Sequence, residues 1–258
     1  MEIIGRGFLA GHLAPIRHRH PGTTVLAAGV SCAADTAADQ FRREAELVRE
    51  TARRCRAEGR RLVFFSTASS GMYGGSGGTG REDDAVTPQT PYGAHKHSLE
   101  QELAAGGTDH VILRLSHVVG PGQPPHQLLP SLLAQLAAGR VVLHRGAARD
   151  LIGIHDLVTL VDAVLQRCGP RATVNVASGA AVPVDRIVDH LQARLGVRAE
   201  RSYVDVRGAH TVDITRLRRL VPESARLGFG PGYYRAVLDR YVLPAVAAGT
   251  AAQEVRTI

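Results

Sequence analysis

The segment Ile3-Ile4-Gly5-Arg6-Gly7-Phe8-Leu9-Ala10 constrains this chain more than any other, because two glycines there separate two kinds of hydrophobic period. Glu2 to Ile4 reads as a short buried strand, and Phe8 to Ile16 as a helix. The spacing between them is G-x-G-x-x-A. Gly5 permits a tight turn, and Gly7 leaves the backbone open to a close ligand. The helix start adds unpaired N–H groups and the positive end of its dipole. Such a turn, placed directly after an opening strand, points to an α/β fold that holds a phosphate-bearing ligand.

The rest of the first half continues the alternation. Thr23 to Ala28 reads as a second strand, and Asp35 to Glu58 as a long amphipathic helix with apolar positions at Phe41, Ala45, Leu47, Val48 and Ala52. Arg61 to Ser66 is a buried-type third strand. Gly71 to Gly80 reads as a mobile, Gly-rich loop, followed by the acids Glu82 to Asp84. Pro91 suits the first turn of a helix. Further strands are expected at His110 to Leu115, Val141 to His144 and Ala172 to Val176. Further helices are expected from about Val184 and Ile214, with a last one near Tyr233 to Val246. Strands alternating with helices make a parallel sheet of the doubly wound, Rossmann type. The division expected is a dinucleotide-binding core (1–116 and 145–170) and a small substrate lobe (117–144 and 171–258).

Of 31 basic side chains, 30 are arginine, and the single lysine is Lys96 in Tyr92-Gly93-Ala94-His95-Lys96. On a helix, positions i and i+4 share a face, so the Tyr92 phenol and the Lys96 ammonium stand side by side. A neighbouring cation favours phenolate, which suits Tyr92 to general acid/base work. The formal charge is +7, but tryptophan is absent and the arginines of Arg42 to Arg56 have no interleaved aromatics, which argues against nucleic-acid binding. No apolar run approaches a bilayer span, and no signal peptide is visible at the start. Cys32, Cys55 and Cys168 lack ligand spacing, so a reducing cytoplasm and no metal site are expected. His12, His18 and His20 have no carboxylate close by in sequence to complete a metal set.

The acidic residue that usually follows the glycine turn by about 20 positions, to bind ribose, is missing. The sequence there is Arg17-His18-Arg19-His20. Arg6, Arg17 and Arg19 suit a 2′-phosphate and favour NADP over NAD. The alternative is a solvated helix end whose cations complement the dipole.

Several segments in order resemble the extended short-chain dehydrogenase/reductases, the nucleotide-sugar epimerase, dehydratase and ketoreductase family. Besides the opening turn they are Val-Leu-Ala-Ala-Gly-Val-Ser (25–31), Val-Phe-Phe-Ser-Thr-Ala-Ser (63–69) and Thr-Pro-Tyr-Gly-Ala-His-Lys (90–96). Leu-Arg-Leu-Ser-His-Val-Val-Gly-Pro-Gly (113–122), Ala-Arg-Asp-Leu-Ile-Gly-Ile-His-Asp (148–156) and Val-Asn-Val-Ala-Ser (174–178) follow. The resemblance implies that Tyr92 is the acid/base and that Lys96 binds the nicotinamide ribose. It also implies that Thr67, or alternatively Ser69, holds the reacting oxygen. Gly5, Arg6, Gly7, Phe8, Leu9 and Arg17 would line the cofactor, with Ala27, Ala28 and Gly29 passing beneath it. Ser116, His117 and Arg149 would meet the substrate, Arg149 at its diphosphate; a structural ion pair with Asp150 or Asp156 is the other reading of that arginine. A homodimer through the 35–58 helix and the helix of Tyr92 is the family expectation.

This sequence also departs from the family. Two strand–helix units that normally separate the first helix from the Ala-Ala-Gly strand are absent, so the adenine half of the cofactor site is cut back. Ala68-Ser69 follow Thr67 where dehydratases carry Asp-Glu, which argues against 4,6-dehydration. A 4-epimerase must retain its dinucleotide, and lost adenosine contacts favour exchange. The resemblance therefore implies an NAD(P)H-dependent ketoreductase acting on a nucleotide-linked keto-sugar. A 4-epimerase, a reductase of a small non-sugar ketone and a non-catalytic NAD(P)-sensing protein are the alternatives.

Overall fold

The computed structural model describes residues 1–30, 38–74, 79–205 and 211–241. Along the chain, β1 (Glu2–Ile4) leads to α1 (Phe8–Leu13) and a 3-10 turn (Ala14–Arg19), then β2 (Thr23–Leu26), α2 (Ala38–Ala57) and β3 (Arg61–Thr67). Then come α3 (Ser70–Tyr73), α4 (Pro91–Ala105), β4 (His110–Leu115), β5 (His117–Val119), α5 (Leu128–Ala137), β6 (Arg140–His144) and β7 (Ala148–Gly153). The remainder is α6 (Ile154–Arg167), β8 (Ala172–Val176), β9 (Ala181–Pro183), α7 (Val184–Leu195), β10 (Glu200–Val204), α8 (Thr215–Leu220), a 3-10 turn (Pro222–Leu227) and α9 (Tyr233–Tyr241).

Five strands form one wholly parallel sheet in the order β1-β2-β3-β4-β8. Its central strands are apolar on both sides, as helices on two faces require. Val63 and Phe65 of β3 face a core shared with α6 and with Leu13 and Ile16 of the first crossover. Leu62 and Phe64 face the opposite way, onto Val48 and Cys55 of α2 and Leu99 and Leu103 of α4. The crossovers β1–β2 and β2–β3 run in the same lateral direction, yet α1 and α2 lie on opposite faces. They therefore have opposite hands, an arrangement the strong preference for one hand makes rare.

A second core gathers α5, α7 and α9 around the three-stranded sheet β5-β7-β9 and the parallel pair β6–β10. The expected boundary at residue 171 needs correcting here, because β8 belongs to the main sheet, paired with β4 from Val111↔Ala172 to Leu115↔Val176. β7, placed within the core segment by the sequence, pairs instead with β5 and β9.

Other expectations shift for local reasons. The helix expected to Ile16 ends at Leu13, since Pro15 has no N–H to continue it, and a 3-10 turn takes over. The second strand stops at Leu26 rather than Ala28. The glycine-rich loop begins as the helical turn α3, which buries Met72 and Tyr73; residues 75–78 lie outside the described residues, as do Cys32, Asp35 and the end of the last expected helix. Pro91 does open α4, and Thr90 caps it by accepting the Gly93 N–H at 3.1 Å. No helix among the described residues is long and apolar enough to cross a membrane.

Candidate active site at the carboxyl edge of the sheet

Because the five strands are parallel and in register, their carboxyl ends meet along one edge, where ligands of open α/β sheets bind. β1 ends there in Gly5-Arg6-Gly7, β2 in Ala27-Ala28-Gly29, β3 in Ala68-Ser69, β4 in Ser116 and β8 in Ala177-Ser178. Gly5 adopts φ +132°, and a Cβ there would stand 2.6 Å from the Ala27 carbonyl oxygen, so the turn is pressed onto the end of β2. At Gly7 a Cβ would meet nothing within 4 Å, leaving the backbone accessible. Arg6 is exposed at this turn, while Phe8 and Leu9 pack onto the main core. These features fit the pyrophosphate of a dinucleotide.

The arginines do not converge on it. The Met1 ammonium donates to the Arg17 carbonyl, which puts Arg17 beside the start of β1, at the opposite edge of the sheet from the glycine turn. Arg19 is bound to Asp162 of α6, together with His20, whose Nε2 is 2.8 Å from Asp162 Oδ1. Burial opposes ionisation of Asp162, but the His20 and Arg19 contacts outweigh it and hold the carboxyl below its usual range. The 2′-phosphate reading of Arg17 is thereby corrected, and of the three arginines only Arg6 stands at the turn.

Tyr92 and Lys96 occupy adjacent turns of α4, with the ammonium 5.7 Å from the centre of the Tyr92 ring. The Gly71 carbonyl accepts from the N–H groups of Gln89 and Thr90, at 2.7 and 3.3 Å. This ties the Ser69–Tyr73 turn to the start of the Tyr92 helix. The two hydroxyl candidates differ in their surroundings. Thr67 is buried within the β3–β4 register, and its Oγ1 accepts the Ser69 N–H at 3.2 Å. Ser69 follows the strand, is half-buried, and makes no capping bond to α3.

Arg149 lies on β7 opposite Val182 and donates to the Ala148 carbonyl at 2.9 Å. Burial lowers its proton affinity. Neither proposed acid pairs with it: Asp150 Oδ1 accepts the Ser178 N–H and hydroxyl, each at 2.9 Å, and Asp156 accepts the Tyr233 hydroxyl. Among the described residues no carboxylate forms an ion pair with Arg149. Asp150 is buried, which pushes its carboxyl upward against those Ser178 bonds, and Ser116 adjoins it; His117 lies opposite Leu151 on the next strand.

Sequence reasoning missed three features. Glu44 of α2 is buried against Lys96 and His95. Its signal was visible: Glu44, Val48, Thr51 and Cys55 share one helical stripe, so the acid interrupts a buried face. The second is Asp150, whose carboxylate binds the Ser178 N–H and hydroxyl past the end of β8 and not Arg149. The third is a buried network in which Arg114 clamps Glu100 through both carboxylate oxygens and donates to the Tyr73 hydroxyl at 2.8 Å. Tyr73 in turn donates to Asn175 Oδ1 at 2.7 Å, and Asn175 N–H donates to Glu82 at 2.8 Å. Burial pushes both the Tyr73 and Glu82 protons on more firmly.

The chain is 33% identical over 155 residues to a dTDP-6-deoxy-L-talose 4-dehydrogenase of Kitasatospora kifunensis, covering 54% of this chain and 48% of that protein. It is 29% identical over 181 residues to a dTDP-glucose 4,6-dehydratase of Streptomyces griseus, covering 65% and 53%. It thus spans about half the length of these curated relatives. Among solved structures, a UDP-galactose 4-epimerase superposes with a TM-score of 0.73 at 20% identity, covering 86% of this chain and 92% of that one. MoeE5 in complex with UDP-glucuronic acid and NAD superposes with a TM-score of 0.71 at 21% identity, covering 86% and 93%. Residues 14–177 match a family as a whole, so the chain belongs to the NAD dependent epimerase/dehydratase family.

Proposed function

We propose that this chain is an NAD(P)H-dependent ketoreductase of a nucleotide-linked keto-sugar. The reading is supported first by the meeting of Tyr92, Lys96 and the Ser69 turn at the carboxyl edge of the sheet, beside the open backbone of Gly7. A bound reduced nicotinamide supplies hydride. The chain supplies the proton and the orientation: Tyr92 donates its phenolic proton to the developing alkoxide, and Ser69 donates a hydrogen bond to the same oxygen. Ser69 takes this role over Thr67 because it lies past the strand end and is half-buried, whereas Thr67 is buried within the β3–β4 register. Arg149, desolvated and without an acid partner among the described residues, holds the substrate diphosphate.

The observation that carries reduction over epimerisation is the position of β1 at the sheet edge. With no strand beyond it among the described residues, the adenosine half has little protein to rest on. Each lost charge-assisted hydrogen bond is worth roughly 1.5–3 kcal/mol, and two of them weaken binding by about two to four orders of magnitude. Freely exchanging cofactor at micromolar affinity suits a reductase. One observation favours the non-catalytic, cofactor-sensing reading: the Lys96 charge is already matched by Glu44. The test is absorbance of NADPH and NADH with dTDP-linked 4-keto-6-deoxy sugars. Stoichiometric oxidation supports the reductase. Epimer interconversion by protein carrying tightly bound NAD makes it an epimerase, and cofactor binding with no turnover leaves the sensor.

A further inference from the structure

The chain's only lysine is held by a carboxylate shared with a histidine. Lys96 Nζ donates to Glu44 Oε1 at 2.6 Å, while Glu44 Oε2 lies 2.9 Å from His95 Nε2. The Glu44 side chain is 1% exposed, that of Lys96 5% and that of His95 9%. Three segments converge to make room. Gly29, just past β2, adopts φ +141°, and a Cβ there would run into Glu44 Oε1, so glycine leaves room for the carboxylate. Phe41, one turn before Glu44 on α2, stacks on His95 with ring centres 4.3 Å apart. From β3, the Phe65 carbonyl accepts from Lys96 at 3.4 Å, and the Phe64 ring lies 5.1 Å from the ammonium.

A buried ammonium with no counter-ion would place a full charge beside Tyr92. Glu44 cancels that charge when it belongs to Lys96 alone. Histidine ordinarily changes charge between about pH 5 and 8, and a protonated His95 would compete for the same carboxylate. Glu102 of the same helix also acts on His95, and Arg49 of α2 binds Glu102 through both carboxylate oxygens at 2.7 and 2.8 Å. Their charges offset one another, so Glu44 is the carboxylate open to this competition.

We infer that Glu44 is a positioning residue for Lys96, and that His95 protonation sets how much of the Glu44 charge Lys96 retains. The charge presented to Tyr92, and to any ribose hydroxyl beside Lys96, then follows the titration of His95. The inference rests on the active-site reading of Tyr92 for its meaning, but its test needs no turnover.

One lysine gives one set of signals, so the full chain labelled with 13C,15N-lysine reports Lys96 alone by NMR. In wild type the Lys96 side-chain resonances are expected to move in a single step as pH falls and His95 takes up a proton. The step is expected to vanish in His95→Asn. In Glu44→Gln it should vanish too, with Nζ protons exchanging at least about tenfold faster, the factor carried by one charge-assisted hydrogen bond. A wild-type signal with no step, or a step that persists in His95→Asn, overturns the inference. So does unchanged proton exchange in Glu44→Gln. Should Glu44→Gln fail to fold, His95→Asn at the rim decides alone. A reductase assay that fails while these shifts appear would count against the proposed reaction and not against the Glu44–His95 device.

Discussion

Replacing Arg149 with methionine separates a binding arginine from a structural one, because the two roles predict opposite changes in stability. The guanidinium is desolvated, pairs with no carboxylate among the described residues, and has one carbonyl 2.9 Å away. Burying an uncompensated ion costs several kcal/mol, and exchanging buried charge for apolar volume is often stabilising by 1–4 kcal/mol. Arg149 retains partial solvent access, which argues for the low end, about 1 kcal/mol. For a chain of this size that raises Tm by roughly 2–4 °C. Binding should move the other way. A bidentate contact to a diphosphate lost at roughly 1.5–3 kcal/mol per bond weakens affinity by about two to four orders of magnitude. Thermal unfolding without ligand and calorimetric titration with dTDP measure the two effects on the same samples. A variant that is less stable than wild type and binds dTDP unchanged would refute the assignment and make Arg149 structural.

Tyr92→Phe should bind NADPH normally and lose about 10²–10⁴-fold in kcat, read in the same absorbance assay; near-normal turnover would mean another group supplies the proton. Ser69→Ala should cost about 10²-fold in kcat with little loss of stability, whereas Thr67→Val should cost about 1 kcal/mol in denaturant unfolding and little activity; the reverse result would restore Thr67. Asp162→Asn should lower stability by about 1 kcal/mol at neutral pH. Since the Asp162 carboxyl is held below its unfolded range, its contribution is present above about pH 4 and lost as pH falls further, so the wild-type and variant unfolding curves should converge in acid. Arg114→Ala strands Glu100 in the core and should cost about 3–5 kcal/mol; an unfolding midpoint near wild type would show that water reaches the site.

What the sequence revealed was local. The glycine turn, the buried strands at 61–67 and 110–115, the Pro91 helix start and the i,i+4 pairing of Tyr92 with Lys96 all follow from neighbours a few residues apart. What it hid was decided by contacts across the chain. Glu44 and Lys96 are 52 positions apart, and nothing in the period of α2 says which helix its buried acid will face. Arg17 looked close to the phosphate turn because the count from Gly7 is short. The intervening helix and 3-10 turn carry it down the length of the sheet, to Met1. β8 was legible as a strand but not as the fifth member of the main sheet, since parallel pairing with β4 spans β5, α5, β6, β7 and α6.

The same distinction explains how a shortened sheet keeps a working edge. In a sheet whose strand order reverses, the crevice for a dinucleotide lies between strands that diverge at the reversal, and strands on both sides support it. Here the order β1-β2-β3-β4-β8 has no reversal, so support exists on one side only. Everything assigned to chemistry lies on that supported side: Tyr92 and Lys96 behind β3, Ser69 at its end, and Arg149 with Asp150 beyond β4. Among the described residues, the unsupported side carries the glycine turn and Arg6. Glu2 of that edge strand is bound to Arg54 of α2 at 2.7 Å, an exposed pair worth little to stability. If the proposed roles hold, a sheet edge at β1 weakens grip on the adenosine end while leaving the groups proposed to move the proton and hold the diphosphate in place. On the proposed reading, such an edge suits release of the dinucleotide after each turnover.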